Sequence, residues 1–123
     1  MVSKVKNKEL KFLVDMFSKP PQTTLGIKKI INIDPLIGQA IVEYKPRRSM
    51  CHSGNIVQGG FITGWLDAVM ALACMSKVGV DTLVLSLEIK TTFIKKVLPE
   101  TVLVTGNVIK SGRSIAFLEG TII

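Results

Sequence analysis

One segment limits the folds open to this chain of 123 residues more than any other, the run from Gln58 to Lys77 that Gly79 closes. As a helix, about 20 residues would extend ~30 Å. Its bulky apolar side chains occur at almost every angle around the axis: Phe61, Ile62, Trp65, Leu66, Val69, Met70, Leu72 and Met75. A helix that is apolar on every side is buried rather than surface-bound. The rest of the chain is therefore expected to wrap around it.

The segments on both sides of this helix carry strand patterns, either alternating or rich in β-branched residues. They are residues 24–33, 39–45, 82–94, 100–110 and 113–123. Turn residues at positions 34–38 and at Ser111-Gly112 predict two hairpins. About five strands around one helix is an α+β layout.

The N-terminal part predicts a second helix. Residues 4–18 place apolar side chains among lysines at helical spacing, and Lys19-Pro20-Pro21 ends the pattern because a residue before proline avoids the α region. We expect a single domain over residues 1–123, with the N-terminal helix in 1–20 and the core in 24–123.

The charge and the composition of the chain limit the kinds of partner that it is expected to bind. The chain has 16 Lys+Arg against 9 Asp+Glu, a formal net charge of +7, which indicates a solvated basic surface or an anionic ligand. The scattered aromatic residues offer no stacking platform, so a phosphate-bearing small molecule is favoured over nucleic acid. The 47% hydrophobic content is high for a small soluble domain and predicts a subunit interface.

The cysteines and the termini predict a cytoplasmic protein. Cys51 and Cys74 are too few for a disulfide framework and have no zinc-ligand spacing, so reduced thiols and no metal are expected. The first eleven residues lack the apolar core of a signal peptide. The apolar run 61–75 is interrupted by Asp67 and is too short for a membrane span.

Asp67 is the residue at which chemistry is expected. It belongs to a stripe of small and polar residues on the central helix: Gly60, Thr63, Gly64, Asp67, Ala71 and Cys74. A buried unpaired carboxylate is costly. Asp67 is therefore a satisfied buried acid that holds a loop, a member of an exposed stripe, or a base or nucleophile in a crevice. Gln58-Gly59-Gly60 at the helix start would leave unshielded N–H groups for an oxyanion.

These motifs occur in an order that resembles a known family. The sequence Val57-Gln58-Gly59-Gly60-Phe61-Ile62-x-x-x-Leu66-Asp67 is followed by the strand-like Leu85-Ser86-Leu87-Glu88-Ile89-Lys90-Thr91-Thr92-Phe93 and by Lys110-Ser111-Gly112-Arg113-Ser114. The series is similar to the small hotdog-fold acyl-CoA thioesterases of phenylacetate degradation, over residues 25–123.

The resemblance implies a curved antiparallel sheet of about five or six strands wrapped around a long central helix. It implies a homodimer or a dimer of dimers, with active sites between subunits, and an acyl-CoA substrate without a further cofactor. By the same resemblance, Asp67 is the general base or nucleophile, the Gly60 N–H polarises the thioester carbonyl, and the Ser86 hydroxyl helps to hold water.

Two residues depart from the family pattern. Gln58 stands where the family usually has His, and it can orient a group but cannot titrate. His52, the only histidine, stands where the family often has Asn, and it is either an orienting group or an ordinary loop residue. These departures leave a non-enzymatic acyl-CoA-binding protein open beside a thioesterase. They disfavour a dehydratase, which needs a His acid–base pair.

The basic residues fit the coenzyme A part of such a substrate. Lys95 and Lys96 follow the predicted third strand, and Lys110 and Arg113 flank Gly112 in the last hairpin. Arg and Lys bind phosphate well, so these five residues are the candidate coenzyme A site. The alternative is that they are edge charges that keep the sheet soluble.

Overall fold

A computed structural model describes residues 4–123. Helix α1 is followed by a β-hairpin, a short 3₁₀ turn with a small hairpin, the long helix α2, and a final hairpin. The elements are α1 Lys4–Met16, β1 Ile27–Asp34, β2 Gln39–Tyr44, the 3₁₀ turn Arg48–Met50, β3 Cys51–His52, β4 Ile56–Val57, α2 Gly59–Val78, β5 Val102–Ser111 and β6 Ala116–Ile122. Helix α2 and both larger hairpins follow the sequence predictions, whereas β3 and β4 lie in a stretch where no strand was predicted.

The main sheet is antiparallel and four-stranded, in the order β1-β2-β5-β6, and α2 packs across one face of it. The indole of Trp65 is fully buried and stacks on the Tyr44 ring with centroids 5.6 Å apart. Its Nε1–H donates to the carbonyl of Leu25 at 2.8 Å, which satisfies the polar atom of the core aromatic. The predicted α+β architecture, with an antiparallel sheet, a long central helix and an N-terminal helix, is confirmed.

A close approach between sheet and helix fixes the position of α2. A Cβ atom on Gly106 of β5 would lie 2.9 Å from the carbonyl oxygen of Val69, so only glycine permits this contact. By length and composition α2 is also apolar enough to cross a membrane. Its side chains Trp65, Val69 and Leu72 are nevertheless 0% exposed against the sheet, which is the packing of a core helix.

Helix α1 is held against the C-terminal end of α2. Leu13 and Phe17 are buried in the common core. The Glu9 carboxylate accepts a hydrogen bond from the Val80 N–H at 3.1 Å, just beyond the end of α2. The N-terminal helix therefore lies away from the glycines at the start of α2.

The prediction of a strand over residues 82–94 is wrong for the single chain, because none of these residues pairs in a sheet. The alternating leucines that suggested a strand are largely exposed, with Leu83 82%, Leu85 76% and Leu87 84% accessible. A strand needs a hydrogen-bonded neighbour, and within one chain this segment lies beside α2 instead. The outer side of α2 is consequently not covered as expected, and Asp67 and Gly60 are exposed.

Candidate active site

Asp67 lies on the open side of α2, midway along the helix. Asp67 is exposed, which excludes the alternative of a buried structural acid within one chain. The Ser86 hydroxyl, from the segment beside the helix, donates a hydrogen bond to Asp67 Oδ1. One carboxylate oxygen is therefore held by a fixed donor, and Oδ2 has no hydrogen bond from within the described chain. Such a carboxylate can accept a proton from a water on its free side.

The start of α2 presents free backbone donors. Gln58 is the N-cap in an extended conformation, and the first bonded amide is that of Phe61, whose N–H donates to the Gln58 carbonyl at 3.0 Å. The N–H groups of Gly59 and Gly60 have no backbone acceptor among residues 4–123. A Cβ atom on Gly60 would meet nothing within 4 Å, and Gly60 itself is exposed.

A second hydroxyl contact lies between these two features. Thr63 Oγ1, one turn after Gly60 and one turn before Asp67, donates to Thr91 Oγ1 at 3.1 Å. Thr63 belongs to the small polar stripe predicted on α2, whereas Thr91 was not among the predicted site residues. The only available signal was that Ser86 and Thr91 are hydroxyl residues on one otherwise apolar segment. Together the two contacts hold that segment along the helix.

His52 and Gln58 lie close to the start of α2 but form no bond to each other. The Gln58 N–H donates to the Met50 carbonyl at 2.9 Å, which extends the β3–β4 pairing by one step. His52 is then a diagonal neighbour of Gln58, a separation of about 7–8 Å that long side chains can bridge. Its exposed ring has Nδ1 at 3.1 Å from Ser53 Oγ.

The five predicted coenzyme A residues do not form one cluster within a chain. Lys95 and Lys96 adjoin Val97, whose carbonyl accepts the Val57 N–H at 2.8 Å, so they lie at the N-terminal end of α2. Lys110, Gly112 and Arg113 belong to the β5–β6 hairpin at the opposite end of the helix.

That location follows from contacts near Gly38. The Val108 N–H donates to the Gly38 carbonyl at 2.8 Å, and Gly38 also abuts Lys77 in the last turn of α2. At this end of α2, the β5–β6 hairpin forms a shallow and open depression on the surface. It is lined by Lys110, Gly112, Arg113, Ser114, Ile115 and Phe117. The sequence alone did not show that Lys95 and Lys96 lie at the opposite end of α2 from Lys110 and Arg113.

The two free cysteines of the described residues differ in burial. Cys74 is buried, and burial raises the pKa of its thiol, which keeps it protonated. Cys51 is partly buried, with Sγ 3.7 Å from the Arg47 carbonyl oxygen. Within residues 4–123, no group of three or more His, Cys, Asp or Glu side chains could hold a metal ion.

The chain matches the model of a known protein family. The model of the thioesterase superfamily matches residues 54–123 and so includes Gln58, Gly60, Asp67 and Ser86. His52 lies just outside the match. No curated protein sequence matches the chain.

Solved structures share the fold at low sequence identity. A thioesterase family protein from Silicibacter pomeroyi is 23% identical, with a TM-score of 0.83 over 93% of this chain and 82% of that one. PaaI of the E. coli phenylacetic acid degradation operon is 20% identical, with a TM-score of 0.81 over 98% and 84%. Thioesterase superfamily member 2 of zebra fish is 20% identical, with a TM-score of 0.76 over 98% and 86%.

Proposed function

The chain belongs to the thioesterase superfamily, and from that premise we propose that it hydrolyses acyl-CoA thioesters to a free acid and coenzyme A. The observation that carries the proposal is the Asp67 carboxylate, exposed on the open side of α2 with one oxygen held by Ser86. Thioester hydrolysis needs a base or nucleophile and a donor for the carbonyl oxygen. Asp67 supplies the first and the Gly60 N–H the second.

In the reaction we propose, Asp67 acts as a general base. The carbonyl oxygen of the thioester accepts the Gly60 N–H, and a water held by the free Asp67 oxygen attacks the carbonyl carbon and gives its proton to the carboxylate. Collapse of the tetrahedral intermediate breaks the C–S bond, and the thiolate leaves and takes up that proton. The Ser86 hydroxyl keeps the carboxylate oriented. Direct attack by Asp67 through an anhydride is the variant of the same proposal.

The spacing along α2 indicates that one site uses two copies of the chain. Asp67 is seven positions after Gly60, which is about 10 Å of helix at 1.5 Å per residue. Helix N–H groups point out of the N-terminal end, so a carbonyl bound to Gly60 lies still further from the Asp67 of the same chain. We therefore propose that the Gly60 of one copy faces the Asp67 of another in a homodimer, alone or within a dimer of dimers.

The coenzyme A contacts follow from this arrangement. Lys95 and Lys96 lie at the same end of α2 as Gly60, so they are proposed to contact phosphates of a substrate bound there. Lys110, Gly112 and Arg113 lie at the other end, so any contact with that substrate comes from another copy. Gln58 and His52 flank the helix start and are proposed to orient the carbonyl or the water. Two free thiols are consistent with a cytoplasmic location.

One observation favours a second candidate function, binding of acyl-CoA without hydrolysis. Gln58 at the helix start cannot transfer a proton, so catalysis rests on Asp67 with His52 as the only imidazole. A panel of acyl-CoA thioesters, assayed with a thiol reagent, separates the two functions. Release of coenzyme A above background for at least one chain class supports the hydrolase. Tight calorimetric binding with no release for any class supports the binding protein.

A further inference from the structure

The segment after α2 runs back along the helix and is held to the rest of the chain at few points. We call residues 80–97 the return segment. The N–H of its first residue donates to the Glu9 carboxylate at 3.1 Å, and the carbonyl of its last residue accepts the Val57 N–H at 2.8 Å. Between these two ends it forms no backbone–backbone hydrogen bond with any described residue. Its side chains therefore decide where its middle lies.

Two side-chain hydrogen bonds tie the middle of the return segment to α2. The Ser86 hydroxyl donates to Asp67 Oδ1, and the Thr63 hydroxyl donates to Thr91 Oγ1 at 3.1 Å. Among the described residues, these are the only hydrogen bonds between the helix and the segment. Without the threonine pair, the chain between Ser86 and residue 97 would form no hydrogen bond to its surroundings.

Burial separates Thr91 from its neighbours. Between positions 85 and 96, Thr91 is half-buried and every other residue is exposed. Leu85 and Leu87 are exposed although they are apolar, so apolar burial within one chain does not explain why a threonine packs against the helix. The hydrogen bond from Thr63, which is also half-buried, explains it. Thr91 is β-branched and therefore stiff, so a bond at its hydroxyl also restrains the adjacent backbone.

The threonine pair lies one helical turn from the carboxylate. Thr63 precedes Asp67 by four positions, about 6 Å of helix at 1.5 Å per residue, and both belong to the same polar stripe. Ser86 is exposed, so whether its hydroxyl meets the carboxylate depends on where the return segment lies. A second tie one turn away lowers the conformational entropy that the Ser86 contact has to overcome.

We propose that Thr63 and Thr91 are positioning residues for the hydrolysis, because their hydrogen bond holds Ser86 in place and through it orients the Asp67 carboxylate. The inference rests on the proposed function and adds to it two residues that touch neither the substrate nor the reacting atoms. Loss of the pair would leave acyl-CoA binding intact and make the productive orientation of Asp67 less frequent.

Three variants assayed with an acyl-CoA thioester test the role of the pair. Thr91→Val removes the hydroxyl and keeps the branched shape, so kcat should fall roughly threefold to tenfold, the effect of one hydrogen bond of ordinary net strength, while KM stays unchanged. Thr91→Ser keeps the hydroxyl and should restore kcat. Thr92→Val is the matched control, because Thr92 is adjacent and exposed, and its kcat should stay at the wild-type level.

A double-mutant cycle with Ser86→Ala separates positioning from structural support. If Thr91 acts through Ser86, adding Thr91→Val to Ser86→Ala should lower kcat no further. The same loss in both backgrounds overturns the inference. So does unchanged kcat in Thr91→Val or in Ser86→Ala, an equal loss in the Thr92→Val control, or no recovery in Thr91→Ser.

A change on the helix provides an independent variant. Thr63→Val removes the same hydrogen bond and should reproduce the kinetics of Thr91→Val, so the inference stays testable if Thr91→Val does not fold. A thermal melt reports the fold of each variant. Wild-type kcat in a folded Thr63→Val chain contradicts only the threonine pair. If the wild-type chain hydrolyses no acyl-CoA, the proposed function fails, and the inference fails with it.

Discussion

Asp67 combines exposure with a fixed hydrogen bond, and this combination makes its role testable by a nearly isosteric change. Asp67→Asn keeps the volume and can still accept the Ser86 donor, so the melting temperature should stay within a degree or two, about the scale of a small change in stability. An amide cannot take up a proton at neutral pH, so turnover should fall at least about 100-fold. Kinetics and a thermal melt on the same preparation check both parts. Wild-type turnover in this variant would show that Asp67 is not the catalytic base.

Gly60 offers a matched pair of substitutions at one position. Gly60→Pro removes the N–H, and proline is tolerated in the first turn of a helix, so kcat should fall about 10²–10³-fold. Gly60→Ala keeps the N–H and places its Cβ where no atom of the same chain lies within 4 Å. This variant should therefore retain most of the activity. Steady-state kinetics of both variants measure the difference. Equal activity of the two would show that this N–H does not polarise the carbonyl.

The sequence indicated Asp67 and Gly60 by their places on the apolar helix, and Ser86 only by the resemblance to a known family. It could not indicate the environment of Asp67, since the apolar residues around it on α2 suggested burial. Whether that side of the helix is covered depends on where residues 82–94 lie. The same uncertainty hid Thr91, whose contact with Thr63 spans 28 positions.

At the scale of elements, local periodicity was enough for α2 and for the hairpins, because their bonding partners are near in sequence. The segment 82–94 has the alternation of a strand but pairs with neither edge strand, β1 or β6, inside one chain. We therefore propose that its exposed leucines form a surface that another copy completes. The segment is expected to gain backbone pairing on association.

A charge placed on this segment tests that expectation. Leu85→Glu puts a carboxylate on the apolar row and should dissociate the oligomer, since burying an unpaired charge is strongly unfavourable. Leu36→Glu is the matched control, because Leu36 is similarly exposed, at 71%, but lies in the turn between β1 and β2. Sedimentation velocity should show a smaller species only for the first variant. The same oligomer for both would remove residues 82–94 from the interface.

At the scale of the whole molecule, the sequence could not show that the predicted coenzyme A residues lie at two ends of one helix. Lys95 and Arg113 are 18 positions apart, yet the length of α2 separates their surroundings. Distances of this kind depend on which way β5 runs past the helix. The antiparallel register of β2 with β5 fixes that direction, and no residue pattern encodes it.

The distance along α2 between Gly60 and Asp67 led us to propose a site shared by two copies of the chain. Complementation between two variants tests that proposal. If Gly60 of one copy serves Asp67 of another, a mixed dimer of Asp67→Asn and Gly60→Pro chains has one site with both native groups and one site with both changes. Mixed dimers, co-expressed with two tags and purified through both, should recover about half of the wild-type rate per dimer, because two-fold symmetry generates two equivalent sites. If one chain supplied both groups, every site in the mixed dimer would carry one change, and the rate would stay at the level of the single variants. Each homodimer is inactive by design, so recovered turnover can arise only from a site shared between copies.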